Sequence, residues 1–367
     1  MRTRLHEWPT WIGHVTAAWC LVLAACGIGW ALGMPGYPFG VGDPEMVAEG
    51  RRALDANVLA LSTPAVAGPV LAVLGVVGAA VASAMARGAG SGASRRLLLG
   101  SAVLAALVLG IGIQDYRPLV VVAYTPVLLV GKVFFGWPEG HGFGDLYTWP
   151  RVALTVCLLA AVAWALTAVA YRRRTAGACG ACGRTGRAGR SGLQRWAVPA
   201  VTVAVVIPLL YAATRWLWAL GVPLGVDAEM FREGQESGLW LAGATLATSA
   251  AVGAVLTLGL VQRWGEVFPR WVVGLRGRRV PPALAVVPAT LVAALVTSAG
   301  TMYVRLVAVD GIAGNWATHG PETLWPVWGA ALFVAAMAYR ERRRGPCTAC
   351  GRGQVREPAE ARPGGKA

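Results

Sequence analysis

Eight long apolar runs constrain the fold of this chain more than any other feature of its sequence. Most of them approach the roughly 20 residues that a helix needs to cross about 30 Å of hydrocarbon. Because lipid offers the backbone no hydrogen-bond partner, runs of this kind cross a membrane as helices. We therefore predict an all-α integral membrane protein with eight transmembrane helices, at residues 11–32, 58–85, 97–113, 152–171, 197–220, 239–261, 282–303 and 324–339.

Composition and charge agree with a membrane location. The chain is 56% hydrophobic and only 14% charged, which excludes an ordinary soluble domain. Of its 33 Lys and Arg, 25 lie at the two ends and in the connections after the second, fourth and sixth runs. Cytoplasmic loops retain such residues, so we predict a plasma-membrane protein with both termini in the cytoplasm. The net charge of +15 then favours anionic lipids at the cytoplasmic face as a partner, rather than nucleic acid.

One further apolar segment, residues 118–135, does not fit the eight-span arrangement. It contains Pro118, Pro126 and Lys132, and a crossing there would place the arginines at 172–174 and 342–344 on opposite sides. We interpret it as a re-entrant or interfacial segment, with a true ninth span as the alternative.

Repeated sequence motifs indicate that the chain is a tandem duplication of a four-helix unit. Trp-Ala-Leu-Gly begins at Trp30 and again at Trp218, and Asp-X-Glu-Met-X-X-Glu-Gly begins at Asp43 and again at Asp227. Matching blocks in one order indicate a duplicated unit. We predict a first half at 1–184, a basic cytoplasmic linker at 185–195, a second half at 196–352 and a disordered tail at 353–367.

Each half ends in the motif Cys-X-X-Cys-Gly-Arg, eight residues after a tyrosine. The four cysteines are Cys179, Cys182, Cys347 and Cys350. Two thiolates at this spacing chelate one metal ion, and two such pairs complete a tetrahedral zinc site. The motif resembles the knuckle of zinc ribbons. We predict one shared zinc, and the alternatives are two separate sites, reduced thiols without a role, or a redox pair.

The predicted outer face carries a second set of candidate residues. Its acids, arginines and histidines recur in both halves, so they are candidates for paired sites that bind a cation or a polar ligand. The set comprises Asp43, Glu45, Glu49, Arg117, His141, Asp227, Glu229, Glu233, Arg305 and His319. The alternative is structural, since Asp43 and Asp227 suit the N-cap of a short helix. Arg215 stands alone within a run, and we predict that it reaches the headgroups by snorkelling.

No motif for catalysis is present: the chain lacks a phosphate loop, a nucleophile elbow and His-Glu-X-X-His. With its Trp-Ala-Leu-Gly segments and arginine-rich ends, the sequence resembles actinobacterial multi-pass membrane proteins of unknown function. We therefore favour a non-enzymatic membrane protein, a transporter-like binder or a scaffold, and predict no catalytic residues. The alternatives are an enzyme acting at the outer membrane surface and a redox- or metal-sensing membrane protein.

Overall fold

A computed structural model of the protein describes residues 8–43, 45, 58–136, 142–185, 192–270, 272–312 and 315–352. Apart from one bridge between Val267 and Arg279, the regular structure of these residues is helical. The helices are α1 (Trp8–Ala31), α2 (Pro64–Ala86), α3 (Gly92–Leu107), α4 (Arg117–Val130), α5 (Phe143–Leu146), α6 (Trp149–Thr175), α7 (Ala197–Ala219), α8 (Ala228–Glu236), α9 (Leu239–Leu258), α10 (Pro282–Asp310), α11 (Trp316–His319) and α12 (Trp325–Arg342). Wider π turns extend α3 through Val108–Gly112 and α4 through Gly131–Phe135.

Eight helices of the described chain are long and apolar enough to cross a membrane, which is the predicted number. Their membership differs from the prediction in two places. The segment Arg117–Phe134 belongs to the eight, whereas α12 does not. The reason for the second difference is that Arg340, Glu341 and Arg342 occupy the last turn of α12 and shorten its apolar part. Instead of facing lipid on all sides, α12 packs between α7 and α10.

The helices pack in two groups with the same pattern of neighbours. In the first half α1 lies along α2, and α6 contacts both α1 and α3. In the second half α7 lies along α9, and α12 contacts both α7 and α10. The central helix of each group, α6 or α12, carries aromatic core residues, including Trp164 in one and Trp328 in the other.

We call the end of the bundle that carries Cys179 and Cys347 the cysteine end. At this end of each group, the hydroxyl of a buried tyrosine donates a hydrogen bond to a backbone carbonyl. Tyr171 donates to the carbonyl of Ala89 at 2.6 Å, and Tyr339 donates to the carbonyl of Gly265 at 2.7 Å. Both acceptors lie in the connection between the second and third long helices of their half.

We call the opposite end, which carries Asp43 and Arg117, the acidic end. The helix α4 begins there, because Arg117 contacts Asp43. The chain that follows α4 is also at this end: the hydroxyl of Tyr147 lies 2.7 Å from that of Thr125, and the indole of Trp149 donates to the carbonyl of Gly36 at 2.7 Å. The segment from Arg117 to Trp149 thus starts and finishes at the same end of the bundle.

The two halves meet where α10 contacts the π turn after α3. Ser298 donates to the carbonyl of Gly110. Arg305 donates to the carbonyls of Ile111 at 3.3 Å and Gln114 at 2.9 Å. A π turn leaves carbonyls out of the regular helical ladder, and these side chains of the other half satisfy them.

Candidate functional site

The four predicted metal ligands come together at the cysteine end. The sulfur atoms of Cys179, Cys182, Cys347 and Cys350 all lie within 4.8 Å of one another. The sulfurs of Cys182 and Cys350, which belong to different halves, are 3.7 Å apart. That distance is too long for a disulfide. It matches the edge of a tetrahedron built on zinc–sulfur bonds of 2.3 Å, which is about 3.8 Å.

Each pair of cysteines is held by the same backbone turn. The amide of Cys179 donates to the carbonyl of Arg184 at 3.0 Å, and that of Cys347 donates to Arg352 at the same distance. The glycine after the second cysteine has a positive φ, +74° at Gly183 and +66° at Gly351. This left-handed conformation suits glycine and turns the next amide towards the sulfur. The amide of Arg184 accordingly lies 3.5 Å from the sulfur of Cys182.

Two arginines connect the two Cys-X-X-Cys-Gly-Arg turns, which we call the knuckles. Arg184 donates to the carbonyl of Arg352 at 2.6 Å, and Arg352 donates to the carbonyl of Arg184 at 2.5 Å. Arg173 reaches the same cluster and donates to the carbonyl of Gly180 at 3.2 Å. Four thiolates around one Zn²⁺ would carry a net charge of −2, and these guanidinium groups would compensate for it.

Neighbouring groups shift the pKa values of three of these thiols. The backbone amide of Cys182, together with the Cys350 thiol, lowers the pKa of Cys179 to about 6. The amide of Cys350 likewise lowers the pKa of Cys347. For Cys350 the amide of Arg352 acts in the same direction, but burial and the other three thiols raise its pKa to about 11. Sulfurs this close cannot all be ionised unless a cation lies between them, and a metal ion could supply that cation.

At the acidic end, three of the predicted outer residues form one ion-pair cluster. Arg117 is 2% exposed, and its Nη1 lies 2.6 Å from Asp43 and 3.6 Å from Glu45. Two members of the cluster were not predicted. Asp115 accepts from the Nε of Arg117 at 2.8 Å, and Arg151 lies 3.2 Å from Glu45. The Asp-X-Arg spacing of Asp115 and Arg117 is a signal that sequence reasoning could have used.

The predicted outer residues of the second half lie in separate surroundings. Asp227 caps α8 by accepting from the amide of Met230 at 2.8 Å, and it also accepts from Asn315. These donors lower the pKa of Asp227. The capping role given as the alternative is thus confirmed for Asp227. Glu229 and Glu233 are exposed on α8.

Arg305 turns towards the carbonyls of the first half, and His319 stacks on Tyr303 with 5.4 Å between ring centroids. Glu49 and His141 lie outside the described residues.

The prediction that Arg215 snorkels to the headgroups is wrong. Arg215 is only 9% exposed and pairs with Glu322, which is 2% exposed. The guanidinium also donates to the carbonyls of Ala317 and Thr318 and lies over the rings of Tyr211 and Trp218. Burial raises the pKa of Glu322 to about 7, although Arg215 opposes that effect. The partner was missed because Glu322 is 107 residues away in the sequence.

A cavity of about 400 Å³ opens beside the Arg215–Glu322 pair. It lies between α4 of the first half and the helices α7, α9, α10 and α12 of the second half. Most of its wall is apolar or aromatic, with His319, Thr318, Arg215 and Glu322 as the polar exceptions apart from tyrosine hydroxyls. The aromatic residues of the wall, besides His319, are Tyr116, Tyr124, Tyr211, Trp218, Trp240, Tyr303 and Trp325.

The likeness to actinobacterial membrane proteins stays a prediction. No family model matches the chain, and neither a curated protein nor a solved structure is significantly similar to it.

Proposed function

We propose that the protein is a non-enzymatic, polytopic membrane scaffold in which one zinc ion fastens two four-helix units together at their cytoplasmic ends. The observation that carries this proposal is the convergence of Cys179 and Cys182 from one half with Cys347 and Cys350 from the other. A single tetrahedral ion bound there joins chain segments 168 residues apart.

The fit of the cluster to zinc rests on its ligands and their distances. Four sulfurs within 4.8 Å of one another, with Cys182 and Cys350 3.7 Å apart, suit a closed structural site, since a catalytic zinc keeps one position open for water. The arginines around the cluster favour a bound [Zn(Cys)₄]²⁻ group over four neutral thiols. A redox or metal sensor is the second form that this cluster supports, because four thiols lie within 4.8 Å of one another.

We further propose that the two groups of helices arose by tandem duplication, with the halves at 1–184 and 196–352 and a linker at 185–195. The shared neighbour pattern and the paired tyrosine contacts support this. The excess of Lys and Arg at the cysteine end supports a cytoplasmic location for that end, in contact with anionic lipids of the plasma membrane. The arrangement of α4 supports a re-entrant segment rather than a ninth crossing.

The experiment is elemental analysis of the purified protein with two variants. The wild type should contain about one zinc per chain. Cys350→Ser should lose most of it, while Cys157→Ser, which changes a buried cysteine of α6, should retain it. Metal-free wild type with all four knuckle thiols open to titration would refute the zinc site. Retention of zinc by Cys350→Ser would show that the two knuckles do not share one ion.

A further inference from the structure

The first two long helices of each half pack differently near the acidic end. In the first half Gly27 of α1 meets α2 so closely that a Cβ there would lie 2.6 Å from the backbone nitrogen of Ala72. In the second half Arg215 occupies the equivalent position on α7. The facing residue of α9 is Gly243, where a Cβ would lie 3.8 Å from the Cδ of Arg215. The groove between these helices is therefore closed in the first half and open in the second.

The open groove is part of the cavity beside Arg215 and Glu322. Its volume of about 400 Å³ is in the range of small-molecule sites. Four residues of its wall are exposed: Tyr124, Met230 and Leu239, with 36%, 39% and 57% of their surface accessible, and His319. Leu239 begins α9, one of the helices apolar enough to cross the membrane. A ligand that enters beside Leu239 would come from the membrane and would place an apolar body against the aromatic rings of the wall.

The polar groups of the cavity determine which hydrogen bonds the polar head of such a ligand must make. The guanidinium of Arg215 already has Glu322 and two carbonyls as partners. The second oxygen of Glu322, Oε2, is buried without a hydrogen-bond partner. So is the indole Nε1 of Trp325, another residue of the wall. One of these groups accepts a hydrogen bond and the other donates one, and each destabilises the protein while it is unsatisfied.

We propose that this cavity binds an uncharged lipid whose polar head is a hydroxyl group, such as a long-chain alcohol. A hydroxyl both donates and accepts, so it can serve Glu322 in either protonation state and can also accept from an indole. A carboxylate cannot donate to Glu322, and an ammonium cannot accept from Trp325. While Glu322 is ionised it compensates Arg215, so a charged head would then bring an unpaired charge into a largely apolar cavity.

The proposal is tested by photolabelling in nanodiscs of phosphatidylcholine. The probe is a long-chain alcohol with a diazirine in its chain, and labelled positions are mapped by mass spectrometry. Labelling should fall on wall residues of α4, α7 and α9. Unlabelled dodecanol should compete for these positions more effectively than dodecanoate or dodecyltrimethylammonium.

Two glycine substitutions on α9 provide the matched pair of variants. Gly243→Leu should fill the cavity and reduce labelling of the wall by about tenfold or more. Gly253→Leu should leave it unchanged, because a Cβ at Gly253 meets nothing within 4 Å. The melting temperature of each variant confirms that it is folded. If Gly243→Leu does not fold, the competition series on the wild type still decides the head group.

The other results overturn the proposal. Labelling of the wall that persists in folded Gly243→Leu would place the probe elsewhere. Stronger competition by dodecanoate or dodecyltrimethylammonium would replace the hydroxyl with a charged head. Labelling spread along all lipid-facing helices would show no site at all. None of these outcomes depends on the zinc content of the protein.

Discussion

Two arginines at the acidic end show how far single residues can be interpreted without a structure. Arg117 was expected to matter because it recurs as Arg305, and Arg215 because it is a charge inside an apolar run. The carboxylate partner of one arginine lies close to it in the sequence, and that of the other lies far away. Asp115 is two residues from Arg117, whereas Glu322 reaches Arg215 only through the packing of α7 against the segment before α12. A buried charge predicts that a partner exists, but the fold decides which residue it is.

The Arg117 cluster gives a stability prediction. Arg117→Met leaves Asp43 and Asp115 buried without their cation, so we expect a loss of about 3–5 kcal/mol. The control is Arg232→Met, which breaks an exposed pair with Glu236 whose side chains are 67% and 66% accessible. That change should cost less than about 0.5 kcal/mol. Thermal or denaturant unfolding in detergent measures both, and equal effects of the two variants would contradict a structural role for the buried cluster.

Glu322 gives a prediction of pH dependence. Its pKa rises from 4.5 to about 7 on folding, so the folded protein holds this proton more tightly than the unfolded chain does. The stability gained in this way is present below pH 4.5 and is lost as the pH rises through 7. Glu322→Gln cannot titrate. Relative to this variant, the wild type should therefore be less stable at pH 8 than at pH 5.

Arg215, Tyr211 and Tyr303 face Glu322, and they are retained in the variant. The two melting temperatures, measured over this pH range, test the prediction. A difference between them that does not change with pH, or that changes in favour of the wild type as the pH rises, would rule it out.

Among the helices, those that face lipid were the most predictable. Runs of apolar residues fix their positions to within a few residues, as for α7 and α9, because a spanning helix must be apolar over its whole length. The differences between the predicted and the observed helices have local causes. Charged residues end the apolar part of α12, and the π turns after α3 and α4 depend on contacts that no hydropathy pattern reports.

Helix packing in the first half rests on glycines that let two backbones touch. A Cβ at Gly75 of α2 would lie 2.6 Å from the backbone of α1, at Cys20 and Ala24. Gly75→Val should therefore push α1 and α2 apart and lower stability by about 1–3 kcal/mol. Gly100→Val in α3 is the control, because a Cβ there meets nothing within 4 Å. Unfolding of both variants in one detergent compares them, and a stable Gly75→Val would mean that the contact between these helices is loose.

At the scale of the whole molecule, the repeated sequence blocks predicted that the two Cys-X-X-Cys motifs would meet. The proposed metal site depends on that pairing. Each knuckle follows its tyrosine by eight residues, and the tyrosines occupy matching places in their groups. That is why four cysteines could be assigned to one cluster from sequence. The outer candidates did not converge in the same way: Arg117 pairs with Asp43 and Glu45, whereas Asp227 caps α8 and Arg305 contacts carbonyls of the first half. Divergence between the halves removes the symmetry on which that prediction rested.

Removal of the metal should weaken the contact between the halves. The free energy of binding a structural zinc is on the order of 10 kcal/mol, and part of it stabilises the folded state. A strong chelator should therefore lower the melting temperature of the wild type. The variant with serine at all four knuckle positions should melt at the lower temperature and should not respond to the chelator. An equal response of both proteins would assign the effect to the chelator itself.

The last prediction concerns topology, and it uses the native cysteines as its control. An impermeant maleimide should not label wild-type protein in intact cells, because three cysteines lie in α1 and α6 and four lie at the cysteine end, which we place in the cytoplasm. Val41→Cys and Glu229→Cys should be labelled, since both positions are exposed at the acidic end. Arg276→Cys, in the connection between α9 and α10, should react only after the membrane is permeabilised.

Gly144→Cys decides the course of α4. This position is exposed and lies between α4 and α6, where the chain has returned to the acidic end. A re-entrant α4 makes it accessible in intact cells. Labelling only after permeabilisation would make α4 a ninth crossing, and the first half would then need a different path from its last crossing to the knuckle. Because the two knuckles share one end of the bundle, such a result would also contradict the shared zinc site.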